Sequence, residues 1–306
     1  MRPILLRLHR WLTLLFALPL AVVILTGLIL SFEPIMQDIG AKPQSLSGAR
    51  LVSLLDQHDS ERKARAILVR SYENRLVFQG VGPDGSLDLD LQTGQVVNDD
   101  DRTMLSDVFG LAKGLHEHFL FDQSWVVTAS TFAMIVLIVL GVLMGWPKLR
   151  QSVSGWHQGM AWFGLPLAVL SPLTGLAIVF GITFTPVAPR EAARPVPIRE
   201  AVEKLSEGRD LSGLIWLRNR GGRLLARVNE GGVFNIYVVS ANGAVKAPMN
   251  WPRALHEGNF AGKWSGLMVL VTSIGFIGLL VTGLIIYTRR ALRPRNRQRV
   301  PGTQIA

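Results

Sequence analysis

Four long stretches of this chain contain no charged residue, and they constrain its fold more than any other feature. They cover residues 11–32, 125–146, 155–188 and 264–288. A helix needs roughly 20 apolar residues to cross the hydrocarbon core of a bilayer, so each stretch is long enough. Only 18% of the 306 residues are charged, and the mean hydropathy is +0.31. The sequence therefore predicts an α-helical membrane protein with four transmembrane helices.

The basic residues predict how the four spans are oriented. They cluster before the first span, between the second and third, and after the fourth, and short basic flanks of this kind stay in the cytoplasm. Both termini are therefore expected in the cytoplasm, with the two long segments 34–124 and 186–263 outside. We interpret the net charge of +10 as mainly topogenic, with no nucleic-acid partner. The clusters are Arg2, Arg7 and Arg10; Lys148 and Arg150; and Arg289, Arg290, Arg293, Arg295, Arg297 and Arg299.

The chain contains no cysteine. This excludes iron–sulfur clusters, thiolate-ligated haem, covalently attached c-type haem and disulfides. The first apolar stretch is longer than the core of a usual signal peptide, and no clear Ala-x-Ala cleavage site follows it. We therefore expect it to be retained as a transmembrane helix.

The two halves of the sequence resemble each other. In each half a histidine is followed 17 positions later by Thr-Gly: His9 by Thr26, and His157 by Thr174. Leu-Pro-Leu-Ala-Val occurs in both halves, and a Leu-His-Glu triplet precedes both the second and the fourth span. Apolar helices rich in Leu, Val and Gly resemble one another in any case, but these polar landmarks favour a duplicated unit of span, outer segment, Leu-His-Glu and span.

Each outer segment is predicted to form a small α+β module, with one helix on an antiparallel sheet. Neither is large enough to promise a strong core alone, so we expect the modules to pack together or against the membrane surface. The predicted helices are residues 49–66 and 198–205, and the predicted strands are residues 66–80, 87–91, 95–97, 214–217, 223–228 and 233–239. The predicted segments are transmembrane helices at 1–33, 119–148, 157–185 and 258–289, outer modules at 34–118 and 186–257, a cytoplasmic loop at 149–156 and a basic cytoplasmic tail at 290–306.

Five of the six histidines lie at the ends of the apolar stretches, and the predicted topology sorts them into two groups. Histidine is costly in lipid and marks function at membrane depth. Two imidazoles that face each other suit a six-coordinate haem iron. The sequence therefore predicts two bis-histidine haems b. His9 and His157, the inner pair, would hold one; His116 and His256, the outer pair, would hold the other, with His118 as the alternative outer ligand.

Two other interpretations of these histidines stay open. A zinc site usually gathers three or four ligands, and only the outer group has carboxylates nearby, Glu117 and Glu257. Alternatively, the histidines merely sit at the membrane interface, where rings with a polar tip are tolerated. His58 lies in a polar segment and is expected to be exposed.

Three Thr-Gly pairs lie inside the predicted spans. At about 1.5 Å per residue, Thr26 and Thr174 lie roughly 25 Å beyond their own histidines, which places them beside the outer pair, and Thr282 beside the inner pair. We expect the glycines either to make room for porphyrin or to let helices approach closely. These glycines are Gly27, Gly175 and Gly283, with Gly141 and Gly145 in span two. Basic residues that can neutralise haem propionates are Arg7, Arg10 and Arg150 inside, and Lys113, Arg253 and Lys263 outside.

The Arg-Leu-His-Arg-Trp opening, the Leu-Pro-Leu-Ala-Val and Thr-Gly segments and the Leu-His-Glu triplets resemble the PepSY-associated transmembrane proteins over nearly the whole chain. The resemblance implies a multi-pass protein of the bacterial inner membrane with PepSY-like periplasmic modules. Some members are ferric-siderophore reductases with two b-type haems. Carried over, His9 and His157 would bind the inner haem, and His116 or His118 with His256 the outer haem.

The resulting hypothesis is an oxidoreductase of iron acquisition that passes electrons across the bilayer to a periplasmic ferric siderophore or other ferric chelate. No Gly-rich dinucleotide fingerprint follows a predicted strand, so the electron donor is expected to be quinol or a separate reductase. The alternative is a non-enzymatic membrane protein whose periplasmic modules bind or inhibit a partner, or a metal-binding transport accessory.

Overall fold

The computed structural model describes residues 2–97, 104–185 and 196–292. Most of the basic tail predicted at 290–306 lies outside the described residues, including Arg293, Arg295, Arg297 and Arg299. The beginning of the second outer segment, residues 186–195, also lies outside them.

Within the described residues, three helical stretches are long and apolar enough to cross a membrane. The first, Ala17–Gly40, contains α2 (Ala17–Leu30) and α3 (Glu33–Gly40); the others are α6 (Ser124–Leu143) and α11 (Lys263–Ala291). A further pair, α7 (Val153–Phe163) and α8 (Leu165–Val179), is bent by 64°. Counting that pair as one span gives the four membrane spans that the sequence predicts.

Spans one and three are each broken at the same point of the repeated motif, although single helices were expected from the sequence. In span one, α1 (Arg2–Leu15) ends before Phe16, and in span three α7 ends at Phe163. Pro19 and Pro166 each follow three residues after these phenylalanines. Proline has no N–H to donate to the carbonyl four residues earlier, and its ring crowds that carbonyl. The inner histidines therefore lie on separate short helices.

The two outer segments together form one seven-stranded antiparallel sheet with the order β3-β2-β1-β4-β5-β6-β7. The first segment supplies three strands and the second supplies four. They join where β1 pairs with β4, with Ala66 opposite Arg218 and Leu68 opposite Trp216. The strands are β1 (Ala66–Arg70), β2 (Arg75–Gln79), β3 (Ser86–Asp90), β4 (Leu214–Arg220), β5 (Arg223–Glu230), β6 (Val233–Ser240) and β7 (Gly243–Lys246).

Two amphipathic helices, α4 (Gly48–His58) and α9 (Ile198–Ser206), contribute to a single core with one face of this sheet. The core draws on both halves of the chain. On the surface, Arg199 of α9 donates to Asp56 of α4 over 2.7 Å. The modules thus pack together, which solves the problem that each is too small to stabilise a core alone. The fully buried residues of the shared core include Leu51, Leu54, Ile67, Leu76, Phe78, Leu205, Leu214 and Leu217.

The strands differ from the predicted ones in three places. Residues 66–80, predicted as one strand, form the β1–β2 hairpin, whose short 3-10 turn Ser71–Glu73 ends at Asn74 in the left-handed conformation (φ 56°). Residues 95–97 contribute only a single bridge between Leu89 and Val96. Strand β7 was not predicted. The helix expected over 49–66 ends at His58.

Two short helices outside the spans carry the outer histidines. These are α5 (Leu105–His118), which packs against α2, and α10 (Trp251–Glu257), which packs against α8. Breaks at Phe119–Gln123 and at Gly258–Gly262 separate them from α6 and α11. The outer histidines therefore lie on helices of their own, in the segments 34–118 and 186–257 that precede spans two and four.

One shared core predicts that damage in one half is felt in the other. Leu54→Ala leaves a cavity in α4 that is expected to cost about 2–5 kcal/mol of stability. Hydrogen exchange measured by mass spectrometry should then speed up in β5 and β6 as well as in β1 and β2. Val52→Ala, at the edge of the same core, should have a much smaller effect. Faster exchange confined to β1–β3 would show that the modules fold independently.

Candidate functional site

The outer pair meets between the two halves of the protein. The ring of His116 on α5 and the ring of His256 on α10 have their centres 6.1 Å apart, with their planes at 46°. Among the described residues, this is the one pair of histidines in ring contact. The short helices α5 and α10 are responsible, because each presents its histidine toward the other half.

A carbonyl and a threonine of span one lie beside Nδ1 of His116 and indicate the tautomer of its ring. Its Nδ1 lies 3.1 Å from the carbonyl oxygen of Val23 and 3.0 Å from Oγ1 of Thr26. A carbonyl oxygen only accepts, so we infer that Nδ1 carries the proton and donates it. The hydroxyl of Thr26 donates to the carbonyl of Val22 over 2.7 Å, which leaves its oxygen as an acceptor. Nε2 of His116 therefore keeps its lone pair free.

The same contact recurs at His256. Its Nδ1 lies 3.1 Å from the carbonyl oxygen of Ser171 and 3.3 Å from Oγ1 of Thr174 on α8, while the threonine hydroxyl donates to Leu170 over 2.8 Å. In both helices the accepting carbonyl lies three residues before the threonine. Partners of this kind on the second ring nitrogen orient metal-binding histidines and strengthen their basicity.

The glycine of each Thr-Gly pair makes room for an imidazole ring. A Cβ added at Gly27 would lie 3.2 Å from Cε1 of His116, and one at Gly175 would lie 3.2 Å from Cε1 of His256. At Gly283 the corresponding atom is Cε1 of His157, at 3.6 Å. The space beside these glycines is thus filled by histidine and not left for porphyrin, which was one of the roles expected from the sequence.

The inner pair is less symmetric. Nδ1 of His157 lies 2.9 Å from Oγ1 of Thr282, whose hydroxyl donates to Gly278 over 2.6 Å. Among the described residues, the ring of His9 has no such partner, although His9 lies near His157.

The two pairs lie at different depths along α11. Thr272, with Ser273, lines a cavity beside His256, and Thr282 bonds to His157. These two threonines are ten residues apart in one continuous helix, so the two levels are about 15 Å apart along its axis. The threonines therefore stand where the sequence predicts them, Thr26 and Thr174 by the outer pair and Thr282 by the inner pair.

The spacing of the outer pair fits one metal ion between two axial imidazoles. A bond from a metal to an imidazole nitrogen is about 2.0 Å, and the ring centre lies about 1.1 Å behind that nitrogen. Two rings on opposite sides of one ion then have centres about 6.2 Å apart, against 6.1 Å here. The cavity beside His256 has a volume of only about 20 Å³, far less than a haem occupies, so its lining side chains would have to move outwards to admit one.

The zinc interpretation finds no support in the described residues, which contain no group of three or more His, Asp or Glu that could hold a metal. Glu257 accepts instead from Arg227 over 2.6 Å and from Arg253 over 2.7 Å. Burial alone would raise the pKa of Glu257, but these two guanidinium groups hold it at about 2. The sequence did not reveal Arg227, which reaches this site from β5.

The two remaining histidines stand apart from these pairs. His118 is exposed, and its Nδ1 lies 3.0 Å from Oδ1 of Asp122. Of the two candidates on α5, the structure therefore brings His116 to His256. His58 is half-buried, with its Nε2 3.1 Å from the carbonyl oxygen of Gly94, and is not simply exposed as expected.

The apolar spans and the histidines held at their ends define a multi-pass membrane protein with paired imidazoles between its two halves. A family model for the PepSY-associated TM region matches residues 6–290, nearly the whole chain. The chain belongs to this family. A search of the curated proteins finds no match.

The contact between Gly27 and His116 predicts an unusual effect of a helix-favouring substitution. Leucine is a better helix former than glycine by several tenths of a kcal/mol, yet Gly27→Leu should lower the thermal unfolding midpoint of the detergent-purified protein, because the new side chain collides with the ring. Gly275→Leu in α11 is the matched control, since a Cβ there meets no atom within 4 Å. Equal midpoints for the two variants would rule out the contact.

Proposed function

We propose that this protein is a di-haem b electron-transfer protein of the bacterial inner membrane, which reduces a ferric siderophore or a similar ferric chelate in the periplasm. The observation that carries the proposal is the outer pair. Its ring spacing fits one iron between two imidazoles, and hydrogen bonds at Nδ1 leave both Nε2 lone pairs free. His116 and His256 would hold one haem, and His9 and His157 the other.

The chemistry that this arrangement favours is electron transfer. A haem would supply a one-electron couple, and two histidines, as in each of the pairs His116 with His256 and His9 with His157, would hold it in a way that suits electron transfer better than oxygen chemistry. The protein contributes fixed imidazoles at two depths about 15 Å apart along α11. Histidine pairs at two depths support the passage of electrons from one face of the membrane toward the other.

Contacts at the two ends of the helices support the orientation with both termini in the cytoplasm. At one end Arg2 donates to the carbonyl of Met144 over 3.0 Å, so the basic start of α1 meets the end of α6. At the other end Gln37 of α3 donates to the carbonyl of Val69 in β1 over 2.9 Å. The sheet and the basic ends thus lie at opposite ends of the first span, and basic flanks favour the cytoplasmic side.

A haem held by His116 and His256 would supply the one electron that converts Fe(III) in the chelate to Fe(II). Hard oxygen ligands suit the more highly charged Fe(III) better, so the reduced iron is held more weakly and is released. Quinol or a separate reductase would supply the electron at the level of His9 and His157.

Haem content tests the cofactor assignment. Protein purified from haem-replete cells should show a b-type spectrum with about two haems per chain. His256→Ala and His9→Ala should each lose one haem, from different sites, because each removes an axial ligand. His118→Ala is the matched control and should keep both. Colourless protein would contradict the proposal and favour a non-enzymatic role in which the modules bind a partner.

The acceptor needs its own measurement. The dithionite-reduced protein, freed of excess reductant, should be reoxidised by ferric chelates without oxygen, as followed by loss of the reduced haem band. A chelator for Fe(II) should report one Fe(II) for each haem oxidised. If the protein contains both haems but no ferric chelate reoxidises them, the protein is not a ferric-chelate reductase. Electron transfer to another acceptor would then remain.

A further inference from the structure

Arginines gather on the face of the sheet opposite its helices, beside the outer pair. In the register of β4 and β5, Leu217 opposes Ala226 and both are fully buried in the core, whereas Trp216 opposes Arg227. Arg227 and, on β4, Arg218 alternate with these core residues and therefore project from the other face. Arg220 on β4 and Arg253 on α10 add to the positive charge around Arg218, and we call Arg218, Arg220, Arg227 and Arg253 the arginine cluster.

The cluster is attached to the helices that carry the outer histidines. Arg227 of β5 and Arg253 of α10 both donate to Glu257, the residue after His256. On the other half, Arg218 lies within electrostatic range of Glu117, the residue after His116. The cluster therefore spans the two Leu-His-Glu triplets, at the sheet side of the outer pair.

Positive charge exceeds negative charge at this place. Burial, together with the charges of Arg220, Arg227 and Arg253, lowers the pKa of Arg218, and the charge of Glu117 opposes this shift. Glu257 already forms ion pairs with two of these arginines, Arg227 and Arg253. Glu33 is the further acid near Arg227, and it lies close to Lys113 as well. Neither Arg218 nor Arg220 has a carboxylate within ion-pair distance in the described part of the chain.

Two donors of the cluster have lost water without gaining a partner. Nε of Arg218 and Nε of Arg227 are buried and make no hydrogen bond. Such donors are uncommon in folded proteins, because each one costs free energy. Aromatic rings hold both guanidinium groups in place: Arg218 lies 4.5 Å above the ring of Trp216, and Arg227 lies 4.9 Å above that of Phe234.

We infer that the arginine cluster binds the carboxylate groups of a ligand that docks against the outer pair. Guanidinium groups in fixed positions pair with carboxylates through two parallel hydrogen bonds. Two ligands near this place carry that group: the propionates of a haem held by His116 and His256, and a ferric chelate with carboxylate arms. The identity of the ligand rests on the proposed function. The positive charge of the cluster and the unpaired Nε donors of Arg218 and Arg227 do not depend on it.

Binding of gallium(III) citrate tests the site without redox chemistry. Gallium(III) is not reduced under these conditions, and the complex is anionic, so calorimetry with the full-length protein at low salt measures recognition alone. Arg218→Gln and Arg220→Gln should each weaken binding about tenfold, the usual loss for one charge-assisted hydrogen bond. Arg65→Gln is the matched control: Arg65 is exposed, and because its neighbour Ala66 lies opposite Arg218, alternation along the strand directs the Arg65 side chain to the other face of the sheet.

Haem release distinguishes the two sources of the carboxylate. If the propionates occupy the cluster, Arg218→Gln should speed the transfer of the outer haem to excess apomyoglobin, while gallium citrate binds weakly to every form of the holoprotein. If a chelate occupies it, citrate binding should fall in the variants and haem release should stay unchanged. Either result supports the inference.

The inference is overturned if Arg218→Gln and Arg220→Gln match Arg65→Gln in both citrate binding and haem release. Arg220 is exposed, so Arg220→Gln keeps the test valid even if Arg218→Gln disturbs the sheet, and thermal midpoints check the fold of each variant. Citrate binding is also measurable on protein that contains no haem. Failure of the haem assignment is therefore distinguishable from failure of the site.

Discussion

A buried imidazole N–H must find an acceptor, and this requirement governs how the membrane helices of the protein meet. In an apolar setting an unpaired donor costs several kcal/mol. Each outer histidine meets the requirement within its own half, through a carbonyl and a threonine hydroxyl of α2 or of α8. The glycine after each threonine lets the ring approach. Each half thus positions its own histidine, and the two halves face each other across His116 and His256.

The two halves also meet in the sheet and in the core beneath it. Strands β1 and β4 pair across the boundary, and α4 and α9 share one core, so neither module has to be stable alone. The opposite face of the sheet carries arginines among apolar side chains, with Arg227 between Trp216 and Ile236. One layer therefore serves two purposes, a hydrophobic core on one side and a cationic surface above the outer pair on the other.

Much of this arrangement follows from the sequence, because its main signals are local or periodic. Uncharged stretches predict the spans, and the rise of a helix places Thr26 and Thr174 beside the outer pair. Pro19 and Pro166 indicate the helix breaks, but the spans were predicted only from the lengths of the uncharged stretches, which do not register a proline. Which strand edges pair, and that Arg227 of β5 reaches Glu257, depend on contacts between distant residues. The periodicity of a sequence indicates which face of a strand is buried, but it does not indicate which other strand pairs with it.

The central claim is that paired histidines at two depths provide two six-coordinate iron sites. Low-temperature electron paramagnetic resonance of the oxidised, purified protein tests it most directly. We predict two low-spin ferric signals, one of which disappears in His256→Ala and the other in His9→Ala. A protein without ferric haem signals, or one whose iron is high-spin with an open coordination position, would contradict the account.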